Sequence, residues 1–234
     1  MTISEFIEEL KKININITSE QLEKLDKYYK ILIQENENIN LTSIIEKDSV
    51  YLKHYYDSLT LMKIIDLNNI NSLCDIGTGA GFPGLVIKIL FPHINVTLVD
   101  SLNKRINFLN KVIKELELNK IEAIHSRIEE YGTKNSERYD LVTARAVAPL
   151  NILLEYAIPL VKINKNFVAM KSNVDEELKN IDNAIKELNI KQESIIEFSL
   201  PYEESKRTLI KYTKLRKTSN KYPRRFAIIK QKPL

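Results

Sequence analysis

Along residues 1–65 the apolar positions recur at helical spacing. Phe6, Ile7 and Leu10 form one stripe, Leu22, Leu25, Tyr29, Leu32 and Ile33 a second, and Leu52, Tyr55, Tyr56 and Leu59 a third. Thr18 followed by Gln21 has the form of a capping box and predicts a helix start. The polar stretch from Asn36 to Thr42 predicts a break. From residue 72 the pattern changes to short apolar runs. Strands are predicted at Ser72–Ile76, Asn95–Asp100, Ile121–His125, Tyr139–Ala144, Phe167–Met170, Gln192–Leu200 and Phe226–Lys230. Between them, helices are predicted over Pro83–Phe91, from a Ser101 cap to about Leu118, over Asn151–Leu160 and over Asp175–Leu188. This alternation predicts an α/β domain with a largely parallel sheet over residues 66–234, preceded by a helical extension over residues 1–65. No internal repeat, low-complexity tract or flexible linker stands out.

Composition narrows the class. In 234 residues, 44% are hydrophobic and the formal net charge is +4, which excludes a disordered chain. The single cysteine, Cys74, excludes a disulfide framework and suits a reducing cytoplasm; it falls inside a predicted buried strand, where an inert thiol is expected. No apolar run reaches the roughly 18 residues of a bilayer span. The opening MTISEFIEELKK lacks the basic-then-apolar design of a secretion signal. A cytoplasmic protein without membrane attachment is expected, and a monomer, since no seam of exposed apolar residues is evident. His54, His93 and His125 lie in different elements without metal-ligand spacing, so no metal site is expected.

Charge is distributed unevenly. From Ser205 to Leu234 there are 11 Lys or Arg and no Asp or Glu, while the preceding 204 residues carry 24 basic and 31 acidic side chains. Such a segment is either a solvated face or the partner of a polyanion. Tyr212, Tyr222 and Phe226 lie among Lys211, Lys214, Arg216, Lys217, Lys221, Arg224 and Arg225, and aromatics between cations suit base stacking with phosphate contact. The apolar run Phe226-Ala-Ile-Ile, read as a strand, requires some of these groups to face inward.

Candidate chemistry concentrates in one loop. Four of the five glycines, Gly77, Gly79, Gly81 and Gly84, fall within eight residues between a predicted strand and a predicted helix. In an open α/β sheet this loop closes over a ligand at the carboxyl end of the first strand. Asp100 ends the second strand, where a carboxylate can accept both hydroxyls of an adenosine ribose. A nicotinamide dinucleotide and S-adenosylmethionine both satisfy that geometry. Asp75, at the mouth of the loop, would repel a pyrophosphate and suits a cofactor carrying an ammonium and a sulfonium. Asp75 can equally cap the loop through its amides. S-adenosylmethionine is the favoured ligand, ahead of a dinucleotide and of a purely structural loop.

The segment Asp75-Ile-Gly-Thr-Gly-Ala-Gly-Phe-Pro-Gly84 resembles the first motif of the 16S rRNA guanine-N7 methyltransferase family known as RsmG or GidB. The resemblance runs over essentially the whole chain. It includes Asn40-Leu-Thr42, His54 with Asp57-Ser-Leu59, Val99-Asp-Ser-Leu-Asn-Lys-Arg-Ile-Asn-Phe-Leu109, Ser126-Arg-Ile-Glu-Glu130 and Thr143-Ala-Arg-Ala146. Two departures concern loop shape: Asn164-Lys-Asn166 and Lys171-Ser172 stand where the family commonly has a glycine pair and Lys-Gly.

The resemblance implies a Rossmann-like class I methyltransferase sheet, S-adenosylmethionine as cofactor, and 16S rRNA in the 30S subunit as substrate, at guanine 527 of the 530 loop. It carries cofactor contacts onto Gly77, Phe82, Ile128, Glu129 and Arg145, which join Asp75, Gly79, Gly81 and Asp100. Arg145 is expected near the transfer centre, bound to a carboxylate or phosphate, or else in an ion pair with Asp75 or Asp140. Asn40 and Thr42 are read as helix-end caps rather than RNA contacts. Lys171 and the basic residues Lys211, Lys214, Arg216, Lys217, Arg224 and Arg225 are the candidate RNA contacts. The expected reaction is in-line displacement at the sulfonium methyl. Guanine N7 is an unprotonated acceptor near neutral pH, so no acid–base pair is required. The alternatives are a methyltransferase with another acceptor, a nicotinamide-dependent oxidoreductase and a non-catalytic RNA-binding module.

Overall fold

Two reciprocal capping boxes start the chain. In the computed structural model, which describes residues 1–234, Thr2 with Glu5 caps α1 (Ile3–Lys12), and Thr18 with Gln21 caps α2 (Ser19–Ile39). Each box satisfies helix-end amides that would otherwise lack partners. Asn40 ends α2 in a left-handed conformation, φ 48°, and Asn36 Oδ1 accepts the amides of Leu41 and Thr42. The expected break is thus a built turn. A third helical run, α3 over 47–63, contains a π-helical turn at Tyr51–Tyr56.

The sheet follows. Its strands are β1 (Ser72–Ile76), β2 (Asn95–Asp100), β3 (Ile121–His125), β4 (Tyr139–Arg145), β5 (Val161–Lys171), β6 (Ile190–Ser199) and β7 (Lys206–Lys214). They lie in the order β3-β2-β1-β4-β5-β7-β6. The first five are parallel, and β7 is antiparallel to both β5 and β6. The strand order reverses between β1 and β4, which opens a crevice at their carboxyl ends. The helices are α4 (Gly84–Leu90), α5 (Asn103–Glu115), α6 (Ile128–Lys134), α7 (Leu150–Ala157), α8 (Asp175–Leu178), α9 (Asp182–Leu188) and α10 (Phe226–Gln231).

Alternate strand residues serve two apolar layers. Leu73, Val96, Leu98, Leu141, Val168 and Met170 face a cluster built with α1 to α5. Cys74, Ile76, Val99, Val142, Ala144, Phe167 and Ala169 face a second cluster with α6, α7 and α9. Both faces are covered, so these strands read as nearly continuous apolar runs. The helices of residues 1–65 share one apolar cluster with the sheet face. Cys74 is fully buried in the second cluster, and burial pushes its thiol well above the ordinary range.

Four expectations are corrected. Ser101 does not cap α5; Asp100 Oδ1 accepts the Leu102 amide there, at 2.9 Å. The Asp175–Leu188 helix is two short helices. The strand β7 lies inside the basic segment, where Lys206, Arg207, Lys211 and Lys214 are interspersed with buried Thr208, Leu209, Ile210 and Tyr212. Finally, Phe226–Lys230 is helical. Its apolar residues carry no period over so short a run, and only Ile229 is buried, while Phe226 and Ile228 are exposed.

A fully buried carboxylate fixes the C-terminal segment. Glu155 on α7 accepts the Arg224 amide and Nε, each at 2.8 Å, and Arg224 Nη2 at 2.6 Å. Nearby, the Tyr222 hydroxyl donates to Glu187. Glu155→Ala leaves the guanidinium and an amide without their acceptor. The expected loss is about 2–3 kcal/mol, discounted for the partial exposure of Arg224. Urea unfolding measures it; an unchanged midpoint would show that the segment is not anchored there.

Candidate active site

The glycine loop is shaped from below by Asp75. Its Oδ2 accepts Thr78 Oγ1 at 2.6 Å and the Gly84 amide at 2.8 Å, while Oδ1 is buried without a partner. A Cβ on Gly84 would lie 2.3 Å from Leu98 Cδ2 and 2.9 Å from Asp75 Oδ2, so only glycine lets α4 pack this close. Asp75 thus occupies the loop-capping position beneath the glycines and does not line a cavity. Burial pushes its carboxyl up to about 6, against the opposing pull of Thr78 and Gly84. The Gly77 and Thr78 amides donate to Val99 O, and the Gly79 amide donates to Asp100 Oδ2 at 3.0 Å. From the helical layer, the Tyr28 hydroxyl donates to Ala80 O. Gly81 faces Leu85 and Tyr28.

Above the loop lies a cavity of about 460 Å³ at the ends of four adjacent strands. β1 contributes Gly77, β2 Asp100 and Arg105 beyond it, β3 Ile128 and Glu129, and β4 Ala146 and Val147. Gly77 has φ +67°, and a Cβ there would sit 2.6 Å from Val147 Cγ2, another wall of the cavity. Asp100 is almost fully buried, and its Oδ2 also accepts Arg105 Nη1 at 3.1 Å. Ile152, Tyr156, Phe226 and Lys230 complete the far side.

A second cavity, of about 570 Å³, lies on the other side of Ala146, which lines both. Ala146 has φ +55°, a left-handed conformation that is strained for a residue with a Cβ. This cavity holds Lys53, His54, Asp57, Arg145, Lys171 and Arg207. Arg145 Nη1 donates to Asp57 Oδ2 and Lys53 O, both at 3.0 Å, and Arg207 Nε donates to Asp57 Oδ1 at 2.9 Å. The ion pair of Arg145 is therefore with Asp57, not Asp75 or Asp140. Asp140 instead binds Lys162 and the amides of Asn71 and Ser72.

Arg145 Nη2 lies 3.2 Å from His54 Nδ1, and His54 Nε2 lies 2.8 Å from Thr42 Oγ1. A guanidinium only donates, so Nδ1 accepts and Nε2 carries the proton. Burial, then the Arg145 charge, lowers the His54 pKa to about 3, consistent with a neutral ring. The ring stacks on Phe82 with centroids 4.3 Å apart, and the Arg145 guanidinium lies 5.2 Å from the Phe82 centroid. Phe82 is thus packed beneath Arg145 and does not line the 460 Å³ cavity.

The basic candidates divide. Lys171 donates to Ala148 O and both Glu177 oxygens at the wall of the second cavity. Lys214 is fully buried, bound to Ile158 O at 3.2 Å and paired with Glu137, and so has no surface to offer RNA. Arg224 is held by Glu155. Lys211 is partly exposed, and Arg216, Lys217 and Arg225 are exposed. Sequence reasoning passed over His54, Asp57 and Arg207 as site residues. The His54–Asp57 spacing on one helical face was the available signal, whereas Arg207 had none.

The raised Asp75 carboxyl couples folding to pH. Its folded-state value of about 6 exceeds the ordinary 3.8, so the folded state holds the proton longer than the unfolded chain. Its contribution is fully present below about pH 4 and lost as pH rises through about 6, on the order of 2–3 kcal/mol. Asp75→Asn should remove that slope. The difference in unfolding free energy between variant and wild type, followed from about pH 4 to 7, checks this; a constant difference would refute it.

These features can be set beside known proteins. Residues 21–209 match the model of the GidB family, described as rRNA small subunit methyltransferase G. The chain is 49% identical over 228 residues to ribosomal RNA small subunit methyltransferase G of Bacillus subtilis, covering 96% of this chain and 95% of that protein. Its counterpart in Bacillus velezensis is 48% identical with the same coverage. Among solved structures, the N-methyltransferase NodS of Bradyrhizobium japonicum, in complex with S-adenosyl-L-homocysteine, shares the fold with a TM-score of 0.56 at 12% identity. That match covers 81% of this chain and 99% of NodS. With four-fifths of its length inside the family model, the chain belongs to the GidB family of rRNA small subunit methyltransferases.

Proposed function

We propose that this chain methylates N7 of a guanine in 16S rRNA, at guanine 527 of the 530 loop, using S-adenosylmethionine, and that it works in the cytoplasm as a monomer. The observation that carries the reading is the pair of cavities that share Ala146. One has the lining of a nucleoside site and the other that of a site for an anionic acceptor. No helix is long and apolar enough to cross a membrane.

The first cavity fits the cofactor in its donor set. Asp100 and Glu129 supply carboxylates for ribose and adenine-edge groups, Ile128 and Tyr156 supply apolar walls, and Gly77 allows close backbone approach. When bound, S-adenosylmethionine supplies an electrophilic methyl group on a sulfonium. The protein's residues supply placement. In the second cavity Lys53, Arg145, Lys171 and Arg207 outnumber the carboxylates Asp57 and Glu177, which suits a polyanionic RNA. Asp57 holds both guanidinium groups in fixed directions, and Phe82 and His54 support Arg145 from beneath. His54 is neutral and already bonded at both nitrogens, so it is no proton donor. Guanine N7 needs none. The base must be presented from a loop or turned out of its stack to reach the Ala146 boundary.

Methyl transfer from labelled S-adenosylmethionine to unmodified 30S subunits and to naked 16S rRNA, with the labelled base mapped, tests the reading. Incorporation at a guanine N7 of the 530 loop is expected; incorporation elsewhere, or none while cofactor binds, would overturn it. Arg145→Lys should lower methylation at least about tenfold, because an ammonium cannot reproduce the forked contacts to Asp57, Lys53 and His54. Affinity for S-adenosylhomocysteine should stay within about twofold, because Arg145 faces the other cavity. From about pH 6.5 to 8.5, kcat should show no histidine titration.

A further inference from the structure

The C-terminal segment reaches the cofactor cavity, which its basic composition does not suggest. Phe226 and Lys230 of α10 line the 460 Å³ cavity on the side of Ile128, Ile152 and Tyr156. Phe226 is 44% exposed, although it belongs to the segment's apolar run. Its ring is positioned: the Arg127 guanidinium lies 5.3 Å from its centroid. The backbone before it is clamped. Arg224 is held by Glu155 through three hydrogen bonds, and Tyr222 by Glu187. Pro223 packs so closely on Gly132 of α6 that a Cβ there would lie 3.0 Å from its Cγ. Ile229, fully buried, pins the far end of α10. A half-exposed aromatic ring held this firmly at a cavity wall is arranged to meet a flat apolar ligand group.

The geometry points to Phe226 as a cofactor-binding residue: its ring, which lines the cavity with Ile128, Ile152 and Tyr156, packs on the adenine of S-adenosylmethionine. This rests on the cofactor reading above and extends it to a wall supplied by residues 222–231. Four features agree with it. The cavity lining places the apolar Ile128, Ile152 and Tyr156 together with Phe226. The chain after β3, where Ile128 and Glu129 sit, carries Arg127 as well, so one turn both lines the adenine end and holds Phe226. Ile228 on the same helix is similarly exposed but lines no part of the cavity. The anchors on Glu155, Glu187 and Gly132 hold the segment against α6, α7 and α9, rather than leaving it free as an RNA arm.

The test is calorimetric titration of the full-length protein with S-adenosylhomocysteine, so the readout is binding rather than turnover. Wild type should bind; if it does not, the cofactor reading itself fails. Phe226→Ala should weaken binding roughly tenfold, the usual scale for losing an aromatic platform beneath a base. Phe226→Trp should retain wild-type affinity within about threefold, and Ile228→Ala should leave it unchanged. Thermal unfolding of each variant without ligand should match wild type, since Phe226 is half-exposed. If Phe226→Ala binds S-adenosylhomocysteine as wild type does, the inference is wrong. If it does so while raising the KM for 30S subunits, Phe226 is an RNA contact. If only Phe226→Ala variants with lowered melting temperature lose affinity and Phe226→Trp does not rescue, the helix serves as packing alone.

Discussion

Asp57 joins three parts of the chain at the site. It sits in the helical run of residues 47–63, binds Arg145 at the end of β4 and binds Arg207 at the start of β7. Its side chain is only 4% exposed, so its charge is stable there only because both oxygens are paired with guanidinium groups. The converse also holds. Without Asp57 two guanidinium groups would face each other across a partly dry cavity, and neither would keep its direction. The helical layer thereby sets the aim of cations that belong to the sheet. The π-helical turn at Tyr51–Tyr56 immediately precedes Asp57 and contains His54, and such turns recur where a helix must redirect side chains toward a site.

The sheet was legible in the sequence for a simple reason. Strands covered on both faces need apolar residues at nearly every position, and Ser72–Ile76, Asn95–Asp100 and Tyr139–Arg145 meet that demand. The capping boxes and the glycine loop were legible because their residue types are dictated by backbone geometry. What was not legible depended on partners distant in sequence. For Arg145 the sequence suggests a cofactor carboxylate or an RNA phosphate, or else an ion pair with Asp75 or Asp140. The actual partner comes from a helix 88 residues earlier. Phe226–Lys230 holds four consecutive apolar residues that fit a strand or a helix, and the i to i−4 bond from the Ile229 amide to Arg225 O makes it a helix.

The basic C-terminal segment shows how charge counts mislead when pairing is unknown. Its excess of cations is partly answered inside the fold by acids of the body: Glu137 takes Lys214, Glu155 takes Arg224 and Glu187 takes Lys221. What remains for a polyanion is the set without an acidic partner, Lys206, Lys211, Arg216, Lys217, Arg225, Lys230 and Lys232, of which Arg216, Lys217 and Arg225 lie on the stretch between β7 and α10.

The site carries no acid–base pair, and its construction shows why none is needed. A reaction between a lone pair and a positively charged methyl donor moves charge from one partner to the other and requires no proton transfer before attack. Rate then depends on distance and direction. Every strong interaction at the site answers that requirement. Asp75 and Gly84 fix the loop, Tyr28 ties the loop to the helical layer through Ala80, and Asp57 fixes two arginines. Ala146, in its left-handed conformation, separates the two cavities by a single residue. A β-branched side chain there would resist that backbone conformation. The boundary between the cavities is therefore set by a backbone conformation, and the surrounding hydrogen bonds and ion pairs hold it in place.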